Sequence, residues 1–200
     1  MIDAIVLAAG LGTRMGRLKP LIPIEGKPAL TVVIGVLREA GIDRPIVVLG
    51  HEANRVLSGV DLDGCRIVVN PEPGRGLSSS LRLGLQMVGP TAIGTLVLHV
   101  DMPAVRADTI RSVLDAGAAG AKIAAPTHNG RRGFPVYFSH ACFDELTPVL
   151  QGDKGARDYI ATRRGSLTLV PVDDPGSLLD LDRPEDLAEI EGRAQCATSA

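Results

Sequence analysis

Aromatic side chains are scarce in this sequence. Phe, Tyr and Trp together make up 2% of 200 residues, and Trp is absent. Platforms that stack the bases of single-stranded nucleic acid need several such rings. A polyanion or an anionic membrane calls for a strong basic field, and the formal net charge is -2. Neither nucleic acid nor a membrane is therefore expected as a partner. Cysteine is sparse too. Cys65, Cys142 and Cys196 are the only three; they lie far apart and form no C-x-x-C. This argues against a disulfide framework and a zinc site and suits the cytoplasm. The four histidines, His51, His99, His128 and His140, show no ligand spacing, and none stands out as catalytic. The apolar start lacks a basic flank and is cut short by Gly10. No signal peptide and no membrane span are expected.

What is present is ordinary for a globular domain. Hydrophobic residues make up 45% and charged residues 22%, in a chain long enough for one sizeable core. Apolar runs read as strands at 5–9, 46–49, 66–69, 95–100, 122–125, 133–138 and 167–172. Pro135 marks the sixth run as an edge or otherwise special strand. Helical patterns lie between the runs. Leu30, Val33, Ile34 and Leu37 share one face, and Leu77, Leu81, Leu85 and Val88 share another. Gly41 closes the first of these helices, and a last helix is read at 184–191. The alternation predicts an α/β fold of three layers, α/β/α, around a mostly parallel sheet of about seven strands. One domain is expected over 1–192, with a flexible tail at 193–200. Right-handed crossovers put the C-terminal strand ends along one edge, where ligands bind in open α/β sheets.

The first strand runs into a loop rich in glycine, from Gly10 to Pro20. Glycines let backbone N–H groups come close to phosphate oxygens. Arg14 offers phosphate a fork of donors and Lys19 a compact charge, with Arg17 between them. A nucleotide triphosphate suits such a loop. Two familiar phosphate loops do not fit it. Gly10, Gly12 and Gly16 have one residue too many for G-x-G-x-x-G, and Pro20 and Pro23 interrupt the helix that should follow. The Gly-Lys-Ser/Thr of a P-loop is absent. Further on, Val100-Asp101-Met102-Pro103 sets a carboxylate just past a buried run, where it can bind Mg²⁺ beside phosphates.

The run Leu7-Ala8-Ala9-Gly10-x-Gly12-x-Arg14-Met15-Gly16-x-x-Lys19 resembles the first motif of nucleotidyltransferases that activate a phosphorylated acceptor with an NTP. The branch it looks most like is the molybdenum cofactor cytidylyltransferases, within the MobA-like NTP transferases. Asp101-Met102-Pro103 is a second match. Asn70-Pro71-x-x-x-x-Gly76-x-Ser78-Ser79-Ser80-Leu81 is a third, and the resemblance places it against the nucleotide base. Backbone groups and a serine hydroxyl in a first helical turn can supply the in-plane partners a base needs. Gly133-Phe134-Pro135 is a fourth match with a departure, since the cytidylyltransferases usually carry Gly-His-Pro there. Arg131 and Arg132 beside it either compensate or form a solvated turn. Gly152-Asp153-Lys154-Gly155-Ala156-Arg157 reads as an acceptor loop, whose Lys154 or Arg157 meets a phosphate or carboxylate. Asp180-Leu181-Asp182-Arg183-Pro184-Glu185-Asp186-Leu187 is similar to the family's Asp-x-Asp-x-Pro-x-Asp-Leu ending. Asp182 is the second metal candidate and Asp180 its fallback.

The resemblance implies a Rossmann-like domain and a Mg²⁺-dependent nucleotidyltransferase. It would move a nucleotide monophosphate from an NTP, CTP favoured over GTP, to the phosphate of a molybdopterin-type cofactor, releasing pyrophosphate. Arg14 and Lys19 would be catalytic. Leu7, Ala8, Ala9, Gly10, Gly12, Asn70, Gly76, Ser79 and Ser80 would meet the nucleotide. Gly133, Phe134, Pro135, Gly152, Asp153, Lys154 and Arg157 would meet the acceptor. Asp101 and Asp182 would hold the metal, and a molybdoenzyme or its maturation chaperone would be a further partner. Lys19-Pro20-Leu21 and Gly26-Lys27-Pro28 look as much like sugar-1-phosphate nucleotidyltransferases, so a sugar phosphate or another small phosphate is the alternative acceptor. An alternative of another class is a non-catalytic nucleotide- or cofactor-binding maturation factor. The oligomeric state is left open.

Overall fold

β1 (Ile2–Ala8) sits in the middle of the sheet because it is apolar on both faces. Ala4, Val6 and Ala8 are buried in one core layer, and Ile5 and Leu7 in the other. A strand covered by helices on both sides requires this. The structure is a computed structural model that describes residues 1–10 and 18–197. Gly12 and Arg14, both singled out from the sequence, lie outside the described residues.

After the loop a small antiparallel hairpin forms from β2 (Pro23–Ile24) and β3 (Lys27–Pro28). Then come α1 (Ala29–Glu39), β4 (Ile46–Leu49), α2 (Ala53–Gly59), β5 (Arg66–Val69), α3 (Leu77–Gln86) and β6 (Gly94–His99). The second half holds α4 (Ala107–Ala118), β7 (Ile123–His128), β8 (Arg131–Arg132), β9 (Val136–Ser139), α5 (Phe143–Val149), α6 (Arg157–Thr162), β10 (Leu167–Pro171) and α7 (Pro184–Ala197). The main sheet has the order β10-β7-β9-β6-β1-β4-β5, with β8 paired to β7 outside that path. β1 pairs parallel with β4 and β6, β4 with β5, and β10 with β7. β9 alone on this path runs against its neighbours, between β6 and β7.

The helices split into two layers. Leu30, Val33, Ile34 and Leu37 of α1 and Ile110 and Val113 of α4 cover one face. Leu81 and Leu85 of α3, Leu146 of α5 and Tyr159 and Ile160 of α6 cover the other. Each fully buried Leu or Ile contributes about 1.5–3 kcal/mol through area removed from water. A third, smaller cluster joins Ile22 and Ile24 near the hairpin to Leu181 and Ile190. It brings the C-terminal segment back beside the loop that follows β1.

Three expectations change. The sheet has an eighth strand, β8, whose two residues are too short to show a period. The strand after Pro135 is interior, and Pro135 precedes it, where no ladder N–H is required. The last helix runs to Ala197, past the expected end near 191. Gly192 costs a helix only about 1 kcal/mol, and the Ala, Arg and Gln that follow are good helix formers. No helix among the described residues is long and apolar enough to cross a membrane.

Candidate active site

The C-terminal ends of β1 and β6 open onto two adjoining cavities. One, of about 550 Å³, is lined by Ala9, Gly10, Lys19, Gly76, Ser80 and Asp182, among others. The other, of about 450 Å³, is lined by Arg132, Gly133, Phe134, Asp153, Lys154 and Arg157, among others. Leu7, Leu77, His99, Asp101, Asp153 and Asp180 border both.

Lys19 stands at this seam. A single 3-10 turn, Lys19–Leu21, with Pro20 at its start, presents it. Its Nζ donates to Asp101 Oδ2 at 2.8 Å and to Asp182 Oδ1 at 2.5 Å. Asp101 follows the end of β6, and Leu181 N donates to its carbonyl at 2.7 Å. That bond fastens the C-terminal segment to the strand end. Asp186 accepts from the N–H groups of Asp182 and Arg183 and so caps the start of α7. Burial works against the Lys19 ammonium, but Asp101 and Asp182 outweigh it and raise its pKa. The two carboxylates converge as the sequence reading expects, with an ammonium between them. Among the described residues, no group of three or more His, Cys, Asp or Glu side chains is placed to hold a metal.

The triple serine divides three ways. Ser78 is buried, its Oγ without a partner. Ser79 Oγ donates to Gly76 O at 2.8 Å. Ser80 borders the first cavity. Asn70 Nδ2 donates to both Ser79 Oγ and Ser80 Oγ, at 2.8 and 2.9 Å, and Asn70 Oδ1 accepts from Glu72 N. Asn70 is 2% exposed. It braces the serines from behind and does not border the cavity, and neither do Ala8 and Ser79. Gly76 has φ 91°, and a Cβ there would lie 2.5 Å from Asp153 Oδ1 and from Gly152 C. The loop at Gly76 and the loop at Gly152–Asp153 therefore touch at a point only glycine fits.

Beside the second cavity, Phe134 N donates to Ser177 O at 2.8 Å, and a Cβ on Gly133 would collide with the same carbonyl. Gly133 is needed for that close approach. The Phe134–Pro135 peptide is cis. Pro135 and Gly152 fall outside the cavity lining, while Gly133, Phe134, Asp153, Lys154 and Arg157 form part of it. Lys154 is held by Asp158 at 2.8 Å.

The MobA-like NTP transferase domain matches residues 4–167. The chain belongs to this family. Nicotine blue oxidoreductase of Paenarthrobacter nicotinovorans is 27% identical over 197 residues, 94% of this chain and 96% of that protein. Molybdenum cofactor cytidylyltransferase of Escherichia coli K12 is 28% identical over 194 residues, 96% of each. The crystal structure of Rv0371c from Mycobacterium tuberculosis H37Rv, in complex with manganese, has a TM-score of 0.83 and 32% identity, covering 96% of this chain and 98% of that one. The protein is a nucleotidyltransferase with an α/β Rossmann-like domain.

One residue of this MobA-like transferase was missed by sequence reasoning. His99 borders both cavities. Its ring centroid is 4.7 Å from that of Phe134, and its Nδ1 is 3.9 Å from Asp101 Oδ1. Burial holds the imidazole below its usual pKa, Asp101 opposes this, and Lys19 reinforces it. The ring is thus neutral at neutral pH, with a donor and an acceptor nitrogen. The available signal was a histidine closing the apolar run Leu96-Val97-Leu98, two before Asp101. Spacing to other histidines was the wrong test, because its neighbours are Asp101 and Phe134.

Proposed function

We propose that this transferase moves a nucleotide monophosphate from CTP to the phosphate of a molybdopterin-type cofactor. The observation that carries the reading is the meeting of two cavities at Asp101, where Lys19 is held by two carboxylates. The cavity beside Gly10, Lys19 and Ser80 would take the NTP, and the cavity beside Phe134 and Arg157 the acceptor. Similarity to the E. coli cytidylyltransferase along nearly the whole chain supports this choice of substrates.

Asp101 and Asp182 suit a divalent cation, with Mg²⁺ the choice here. Both are hard oxygen donors, and both lie within hydrogen-bond reach of the same Lys19 Nζ. Two carboxylates, phosphate oxygens and water are a typical Mg²⁺ shell. When bound, the ion would polarise phosphate oxygens and offset their charge. The manganese complex of the mycobacterial relative supports a divalent ion in this family.

The protein's own share is positioning and electrostatics. An acceptor phosphate is already ionised, so no protein base is needed. One of its oxygens bonds to the α-phosphorus of the NTP, the bond from that phosphorus to the bridging oxygen breaks, and pyrophosphate leaves. Lys19 has three N–H donors. Two are on Asp101 and Asp182, and the third would meet a phosphate oxygen. Arg14 would add a second cation from the glycine-rich loop. Asn70 would act through Ser80 by fixing its hydroxyl.

Phe134 favours a second reading. It puts an apolar ring in the wall of the acceptor cavity where the cytidylyltransferases usually carry a histidine, and an acceptor other than the molybdenum cofactor, such as a sugar phosphate, would suit it. The test is pyrophosphate release with Mg²⁺, each NTP in turn, and either molybdopterin cofactor or a panel of sugar phosphates. Release with CTP and the molybdenum cofactor alone is the expected result. Release only with a sugar phosphate would move the protein to the second reading. NTP binding without release from any pair would overturn both.

A further inference from the structure

Beyond the acceptor cavity lies a third hollow, of about 240 Å³, lined by Arg132, Arg157, Ile160, Ala161, Arg164 and Leu167. Arg132, Arg157 and Ile160 border the acceptor cavity as well, so the two spaces adjoin. Three arginine side chains, all exposed, line the hollow beside Ile160, Ala161 and Leu167. Several other surface cations of this chain are paired. Arg55 is bound to Glu52, Arg75 to Glu72, Arg111 to Asp108 and Lys154 to Asp158. Arg163, next to Arg164 in sequence, is bound to Glu145 and lies over the Tyr159 ring.

Arg132, Arg157 and Arg164 have no carboxylate partner among the described residues. Burial, with the like charge of Arg157 beside it, holds the Arg132 guanidinium below the usual arginine range. An anion beside Arg132 and Arg157 would relieve that like-charge repulsion. Guanidinium forks match the oxygens of phosphate and carboxylate. At ~30 Å³ per water, the hollow has room for one oxyanion and several waters.

We infer that Arg132, Arg157 and Arg164 form a second anion subsite, which takes an oxyanion of the acceptor remote from its reacting phosphate. This rests on the acceptor reading of the adjoining cavity. It deepens that reading by making the acceptor at least doubly anionic at two separated positions. Lys154, already tied to Asp158, is left near the mouth of the acceptor cavity.

Residue-resolved arginine modification tests this without turnover. The full-length protein, without nucleotide or metal, is treated with phenylglyoxal in chloride, acetate or inorganic phosphate at equal ionic strength, and modified sites are mapped by peptide mass. Slower modification of Arg132, Arg157 and Arg164 in phosphate, acetate or both is expected, with Arg55 and Arg75 unchanged. Protection by phosphate alone assigns a phosphate-type oxyanion, and protection by acetate alone a carboxylate. No protection, or equal protection of Arg55 and Arg75, overturns the subsite. In a second arm, Arg157→Gln and Arg164→Gln should each raise the acceptor KM about ten- to a hundredfold, the scale of one lost charge-assisted hydrogen bond, with the NTP KM unchanged. An unchanged acceptor KM in both variants also overturns it. Protection without turnover on the molybdenum cofactor would retain the subsite and reassign the acceptor. Turnover without protection would remove the subsite alone.

Discussion

The Lys19 ammonium lies 2.8 Å from Asp101 Oδ2, although the two residues are 82 positions apart. The side chains are 14% and 19% exposed, so this contact is largely shielded. Asp182, the ammonium's other partner, is more open at 39%. One cation holds the end of β6, the loop after β1 and the entry to α7 at a single point.

Lys19→Ala removes that point. Turnover should fall by about 10²–10³, the scale of losing one preorganised charge donor. Two carboxylates would also be left facing each other. The folded state should lose about 1–3 kcal/mol, less than for a fully buried pair because Asp182 is partly solvated. Pyrophosphate release and a urea melt read the two effects separately. Near wild-type turnover in a folded variant would end the catalytic assignment.

Asp101→Asn keeps the shape and removes a charged oxygen. Divalent-dependent turnover should be lost, and Mn²⁺ should bind more weakly in a calorimetric titration of the protein with nucleotide present. Full activity with unchanged Mn²⁺ affinity would exclude Asp101 as a ligand.

Gly76→Ala puts a methyl group against Gly152 and Asp153 at a positive φ. Backbone strain alone should cost about 1–3 kcal/mol. Because this loop contact joins the two cavities, KM for both substrates should rise together. A variant with wild-type stability and a change in only one KM would contradict the shared contact.

Phe134→His restores the family's usual residue beside His99. With a molybdopterin-type acceptor, kcat/KM should hold or increase, since the imidazole adds a hydrogen-bonding group to an apolar wall. A drop of more than about tenfold, more than 1.4 kcal/mol, would mean that the Phe134 ring itself packs against the natural acceptor.

Much of the fold was legible because buried strands and helix faces leave local periodic patterns. All seven strands along the main path fall at apolar runs read from the sequence, and α1 buries Leu30, Val33, Ile34 and Leu37 as their spacing predicts. β8 was missed because two residues carry no period. The antiparallel course of β9 was also hidden, since an apolar run has no direction until its neighbours pair with it. At the site, motif residues such as Gly10, Gly76 and Asp101 could be picked out one by one. His99 could not, because its importance comes from a cavity wall shared with Phe134.

By itself, then, the sequence determined the α/β class, the order of the elements and the chemical types gathered at the strand ends. These follow from short-range patterns and from the rule that crossovers are right-handed. Only the tertiary structure decided which groups meet. Lys19 and Asp182 are 163 positions apart and share a hydrogen bond, Asn70 turns inward to brace two serines, and Arg132 lines one hollow with Arg157 and Arg164 from a distant segment. Contacts of that kind depend on how packed layers bring distant loops to one edge, and no local spacing encodes that distance.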